Sequence, residues 1–494
     1  MSKIKKAVFI TFIILHSSFI ISSTGCGARR TPDLGRIFAA TKGRTGKPPI
    51  IVVPGILGSQ LVNRKTGEVV WPSAFRSSDD GLALPISPDL TANRDGLVAE
   101  RIIERAKLAR IAPEVYVYYG LLRALRDYGG YREGDWDNPP EGGDRDTFYV
   151  FPFDWRRDNV ETARDLARRI EDLKSKLNRS DLRFNVVAHS MGGLIARYAA
   201  RYGDADLPPE GQPPQQVTWA GARGINKIFM FGVPNEGSAE ALATLLEGYS
   251  VQEGLRRRLR LLNKLSREDA VTIPSIFQLL PHRQTTRFLD GELKEIAVDL
   301  YDPETWRRYG WSPLLDEEFR ARFARGELRD ESARLVLNGT RPETLDAYLA
   351  AVLARARRFH EALDVFPPVG ASPVPLFAFG GDCEETLAAP VIYRDEKKGR
   401  WVTLVEPREL RAAGGRKLSR KEVTRAMYAP GDGRVTRRSI LGEGLATVRN
   451  SQLIDTPLPI TYAVFACDLH SDLQSNLNLQ DNALTVLVNE VTKE

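Results

Sequence analysis

Val187-Ala188-His189-Ser190-Met191-Gly192-Gly193 decides the fold. It continues the strand-like run Phe184-Asn185-Val186-Val187 and leads into an amphipathic pattern from Gly193 to Arg201. A buried strand that turns sharply into a helix, with a serine at the apex, is the arrangement of a nucleophile elbow. The serine backbone must take a strained conformation to lift its hydroxyl clear of the sheet, so residues two positions away must be small. Gly192 meets that need on one side and Ala188 on the other. The helix that begins after Ser190 aims free N–H groups and its positive end at the serine oxygen.

Working outward, short apolar runs alternate with helical patterns. Ile50-Ile51-Val52-Val53 ends in Pro54-Gly55, Phe148 to Pro152 precedes a helical stretch from Asn159 to Leu177, and further runs lie at Ile225–Val233, Val374–Gly380 and Ile460–Ala466. Six strands alternating with helices predict an α/β fold: a mainly parallel sheet covered by helices on both faces. Two segments break the rhythm. Residues 236–365 hold no convincing strand and read as a helical cap, and about 385–428, with a charged patch (Arg394 to Arg400) and a basic run (Arg416 to Arg425), reads as an exposed β-hairpin excursion. The core is thus divided into 48–235 and 366–494.

A serine nucleophile needs a base, and the chain has five histidines. His16 lies in the leader, His189 adjoins the serine and must point away from it, and His282 and His360 fall in the cap. His470, just after the last strand, remains, in the chain order Ser, acid, His. The acid is expected at Asp432, framed by Gly431 and Gly433, with Asp382 as its rival. An oxyanion requires two donors; the backbone N–H groups of Met191 and of Ile56, in the turn after the first strand, are expected to supply them, with Leu57 as the alternative to Ile56. No CxxC or histidine cluster points to a metal or other cofactor.

The N-terminus reads as a targeting signal: Lys3, Lys5 and Lys6, an apolar stretch from Ala7 to Ile21, small residues, then Cys26. Residues 1–25 are read as a signal peptide and 26–47 as a tether. Ser23-Thr24-Gly25-Cys26 resembles a bacterial lipobox, so the expectation is an exported lipoprotein, lipidated at Cys26 and held on a membrane at the periplasmic face or outer membrane. Of three cysteines, Cys383 and Cys467 are left and are expected to form a disulfide. The net charge of +6 is mild, and cations alternate with anions almost everywhere. That argues against nucleic acid and is compatible with an anionic lipid surface.

These residues carry a resemblance to the lecithin:cholesterol acyltransferase (LCAT)-like family of α/β-hydrolases, which includes lysosomal phospholipase A2 and the phospholipid:diacylglycerol acyltransferases. Pro54 to Leu61 resembles the family's oxyanion loop, Phe153-Asp154-Trp155-Arg156 its Tyr-Asp-Trp-Arg signature, and Ala188 to Gly193 its elbow. Gly431-Asp432-Gly433 with Val435 resembles its acid motif, Pro274 to Pro281 a cap segment, and His470 with Ser475-Asn476-Leu477 its histidine region. The resemblance raises Asp432 above Asp382. Arg434 departs from the family's Thr, and the cysteine pair that closes a membrane-docking loop in the animal enzymes is missing. Trp71 and Leu82 to Ile86 are expected to provide the interfacial contact instead. The resemblance implies a serine hydrolase acting on lipid or phospholipid acyl esters through an acyl-serine. Its alternatives are an O-acyltransferase moving the acyl chain to an alcohol, and a non-catalytic surface lipoprotein that keeps the fold. The motifs say nothing of oligomeric state.

Overall fold

Runs of four to six apolar residues need cover on both faces, and the structure places them at the centre of one sheet. The structure, a computed structural model, describes residues 31–72, 81–107, 114–250, 264–282, 287–317, 321, 342–367, 372–412, 415–450 and 453–490. The sheet strands are β1 (Ile50–Val53), β2 (Arg132–Glu133), β3 (Thr147–Val150), β4 (Phe184–His189), β5 (Ile225–Phe231), β6 (Leu376–Gly381) and β7 (Ile460–Ala466). Their order is β7-β6-β5-β4-β1-β3-β2 and every pairing is parallel. β1 lies between β3 and β4, with Ile50 opposite Phe148 on one side and Asn185 on the other. Sequence reading found six of these strands. The seventh, β2, is two exposed residues at the sheet edge, too short to carry an alternation.

The pleat sends alternate residues into two cores. Ile51 and Val53 face the helices α2 (Asn159–Lys176) and α3 (Met191–Tyr202), and Ile50 and Val52 face α1 (Tyr119–Asp127) and α6 (Leu477–Asn489). On that second face Phe229 stacks on Phe377 and Phe231 on Phe379, with ring centroids 4.9 and 4.6 Å apart.

Between β5 and β6 the described residues form several separate elements. Helix α4 (Ala239–Glu247) and the turn Pro274–Phe277 stand over the carboxyl edge of the sheet, whereas α5 (Pro342–Leu363) lies along α3. Leu345, Leu349, Val352, Ala356 and Phe359 of α5, spaced three or four apart, join the main core. Segments expected to hold no strand also form two-residue ladders at Tyr249–Ser250 with Lys264–Leu265, and at Phe288–Leu289 with Glu295–Ile296. Among the described residues no helix is long and apolar enough to cross a membrane.

Three further expectations change. Of the tether, residues 33–47 pack on the body: Leu34 and Phe38, four apart, are buried in the second core, and buried Lys47 pairs with Asp146 at 2.6 Å. Trp71 and Leu82, Leu84 and Ile86 are buried too, so they offer no interfacial surface. In the excursion, Glu384–Leu387 pairs antiparallel with Tyr428–Gly431, and Val391–Asp395 and Arg400–Leu404 form the expected hairpin. The second basic run begins in a two-residue antiparallel ladder, Leu410–Arg411 with Lys417–Leu418, but from Arg420 it becomes a helix, Arg420–Met427, which Ser419 and Glu422 start with a capping box. The leader and Cys26 lie outside the described residues.

Candidate active site

The elbow forms as its residue types require. Ser190 has φ 52° and ψ −127°, a left-handed conformation for a residue with a side chain, and its N–H donates to the carbonyl of Phe231 at 2.8 Å. A Cβ on Gly192 would stand 2.4 Å from the carbonyl oxygen of Pro54. β1 and its following turn therefore pass directly against the elbow. Gly55 completes that contact, since a Cβ there would lie 2.9 Å from the Cβ of Ser190.

Three side chains from distant parts of the chain converge here. His470 Nε2 is 2.9 Å from Ser190 Oγ, and its Nδ1 is 2.8 Å from Asp432 Oδ2. Asp432 is wholly buried, and its second oxygen accepts the N–H groups of Arg434 (3.0 Å) and Val435 (2.7 Å). Only one carboxylate oxygen is thus left for the imidazole. Its carbonyl also accepts the N–H of His470 at 2.8 Å, which fixes the histidine loop at both backbone and side chain. Asp382, the rival acid, is exposed. Gly232, at φ +59°, makes room for the ring: a Cβ there would stand 2.9 Å from His470 Nδ1.

Cys383 and Cys467 are joined in a disulfide with Cα atoms 5.2 Å apart. It ties the ends of β6 and β7, between which the acid and histidine loops hang. Glu384 has a ligand atom within 4.8 Å of both sulfurs, but a disulfide offers no thiolate to a metal. Ile56 and Leu57 line a cavity beside Ser190, and Met191 follows Ser190 as the first residue of α3. Ser190 and His470 open on this small cavity, walled by Ile56, Leu57, Ala241, Leu265, Ile276 and Leu279. Arg434, where the resembled family has Thr, pairs with Glu240 at 3.2 Å in the same wall and lies over the ring of Tyr249. His282 and His360 take no part; their rings stack 4.0 Å apart and His282 pairs with Asp364 at 2.9 Å.

Sequence reading set His189 aside and overlooked Tyr118, yet together they connect the two loops of the site. His189 Nε2 is 3.1 Å from the carbonyl of His470, which can only accept, so Nε2 carries the hydrogen. Nδ1 is then an acceptor, and the hydroxyl of Tyr118 donates to it at 2.9 Å. The Tyr118 oxygen in turn accepts the N–H of Gly55 at 2.8 Å. Burial, followed by the nearby His470, pushes the pKa of His189 down to about 3, which keeps this ring neutral.

The Phe-Asp-Trp-Arg stretch acts at the base of the same loop. Trp155 Nε1 donates to the carbonyl of Ser59 at 3.2 Å, and the N–H of Phe153 to Ser59 Oγ at 3.1 Å. Arg156 is wholly buried between Asp95 (2.6 Å) and Asp154 (2.7 Å). Burial alone would lower its pKa; the two carboxylates outweigh that and raise it. From the cap segment, Gln278 accepts the N–H of Asn159 and donates to Asp158, both at 2.7 Å, docking the Pro274–Pro281 stretch on the start of α2.

Residues 141–314 match the family model described as lecithin:cholesterol acyltransferase. That stretch includes Phe153 to Arg156, Ser190 and the Pro274–Pro281 segment; Ile56, Asp432 and His470 lie outside it and rest on geometry. No curated protein matches the chain. Among solved structures, the Tle4–Tli4 complex superposes with a TM-score of 0.51 at 14% identity, covering 91% of this chain and 100% of that one. This is a likeness of fold. The mature lipase BlEst2 of Bacillus licheniformis (TM-score 0.31, 11% identity, 90% and 92% covered) and EstA of Clostridium botulinum (0.33, 12%, 91% and 89%) overlap too loosely to carry an argument. The parallel sheet and the strained turn at Ser190 are those of an α/β-hydrolase fold, and residues 141–314, about a third of the chain, are similar to the lecithin:cholesterol acyltransferase family.

Proposed function

We propose that this protein cleaves acyl esters of lipids or phospholipids through an acyl-serine at Ser190. The observation that carries the reading is the line Ser190–His470–Asp432, at 2.9 and 2.8 Å, at the foot of an apolar cavity. His470 Nε2 takes the proton of Ser190 as its oxygen bonds to the ester carbonyl carbon. The N–H groups of Ile56 and Met191 hold the oxyanion, and Asp432 stabilises the imidazolium it orients. As the C–O bond to the leaving alcohol breaks, His470 returns the proton to that alcohol. Water, deprotonated by the same imidazole, then releases the fatty acid and frees Ser190.

The test is fluorophosphonate labelling with peptide mapping, beside Ser190→Ala and His470→Ala. Label on Ser190 that both variants lose supports the reading. No label on folded protein, with or without liposomes, favours the non-catalytic surface lipoprotein. The match to a family described by acyl transfer favours a second reading, in which an alcohol replaces water as acceptor. Radiolabelled phospholipid with and without a long-chain alcohol separates the two, by alkyl ester or free acid.

We also infer export as a lipoprotein acylated at Cys26. The Cys383–Cys467 disulfide supports an oxidising compartment. Mass spectrometry of the exported protein checks it: an unmodified Cys26 would exclude the anchor.

A further inference from the structure

The net charge is not evenly spread. Residues 391–427 hold eleven Lys and Arg against five Asp and Glu, a net +6, which equals that of the whole chain. All eleven cations are exposed. Val391, Leu404, Leu418, Val423 and Met427 of the segment join a small core with Ala239, Ala243 and Leu289. On its hairpin Arg394 stands directly opposite Trp401, so the two share a face, and Trp401 is 39% exposed, one of few large apolar side chains left in water among the described residues. A tryptophan amid cations suits the boundary between anionic headgroups and acyl chains.

Its position relates it to the site. The chain leaves the carboxyl end of β6 at Gly381 and returns through Tyr428–Gly431 straight into Asp432. The Cys383–Cys467 disulfide closes its base. Helix α4 carries both structures: Ala239 and Ala243 belong to the small core of the excursion, while Glu240, Ala241 and Thr244 line the cavity at Ser190. The excursion therefore stands on the same edge of the sheet as the nucleophile.

We propose that residues 391–427 are a docking surface for an anionic lipid bilayer, with the exposed cations meeting headgroups and Trp401 seated at the interface. This rests on the lipid-ester reading for its choice of polyanion, and it takes the place of the buried Trp71 and Leu82–Ile86. Charge attracts the body to the bilayer with a dependence on ionic strength, and the shared helix α4 brings the cavity to the side from which an ester would enter.

The experiment is co-sedimentation of the full chain, carrying Cys26→Ala to remove any acyl anchor. Vesicles are phosphatidylcholine alone or with phosphatidylglycerol, at low and high salt. Expected is a preference of about tenfold or more for the anionic vesicles, lost at high salt. Joint Arg394→Glu, Lys397→Glu, Lys398→Glu and Arg400→Glu should abolish the preference, and Trp401→Ala should weaken binding severalfold at either salt. Both variants should hydrolyse a soluble short-chain ester as the parent does, which shows that they fold. Equal binding to both vesicle types, or a charge reversal without effect, would overturn the proposal. So would capture by heparin without vesicle binding, which would point to a soluble polyanion. Ser190→Ala should bind vesicles as the parent does; if the parent binds but cleaves no ester, docking stands and the hydrolase reading fails.

Discussion

At the scale of single residues, the site depends on groups that never touch a substrate. Tyr118 is one: its hydroxyl accepts from Gly55, in the turn that presents Ile56, and donates to His189, which holds the carbonyl of His470. Tyr118→Phe deletes both bonds while keeping the ring and its packing. A lost buried hydrogen bond is worth about 1 kcal/mol. We expect kcat/KM on a soluble ester to fall roughly tenfold, mainly through kcat, and the urea midpoint to fall modestly as well. Steady-state kinetics beside urea titration check this; a loss confined to stability would reduce Tyr118 to packing. His189 was legible in the sequence as a poor base and nothing more. Its partners lie at Tyr118 and His470, 71 and 281 residues away, and no local pattern encodes such pairings.

At the scale of elements, the loops bearing Asp432 and His470 hang from β6 and β7, and one covalent bond joins those strands near their ends. The Cys383–Cys467 bridge closes 84 residues of chain. Constraint of the unfolded chain by a loop of that length is worth roughly 4 kcal/mol in the loop-entropy account. Joint Cys383→Ser and Cys467→Ser should therefore lower the urea midpoint, and addition of a reductant to the parent should reproduce the effect. Activity on a soluble ester should also fall below the temperature of unfolding, because Cys467 lies three residues before His470. Unchanged stability in the double variant would contradict the account. The pairing was readable from cysteine number, but the ladder it secures, Glu384–Leu387 against Tyr428–Gly431, was not, since both strands are short and partly exposed.

At the scale of the whole molecule, burial of an ionisable ring makes stability depend on pH. His189 has an ordinary pKa of about 6.5 when unfolded and about 3 when folded. Between those values the unfolded chain holds a proton that the folded chain lacks. Stability is thus full above pH 6.5 and falls as pH is lowered towards 3, by about 1.4 kcal/mol per pH unit for this one group. His189→Gln should be less stable at neutral pH but lose less on acidification. Urea midpoints of the two proteins across that range check it, and parallel curves would show that other groups govern the acid limb.

Sequence alone determined the middle of the sheet, the elbow and its serine. A run such as Ile50–Val53 is apolar on every side, and a strand covered on both faces satisfies it. Small residues around Ser190 likewise admit few turns. It also marked Asp432 and His470, through a glycine frame and chain order. Tertiary structure decided the rest. It buried Trp71 and Leu82 to Ile86, set α5 against both α3 and the Pro274–Phe277 turn, and linked Tyr118 to His189. Each of these depends on which surface a side chain meets across the fold, and hydrophobicity states only that it must meet one.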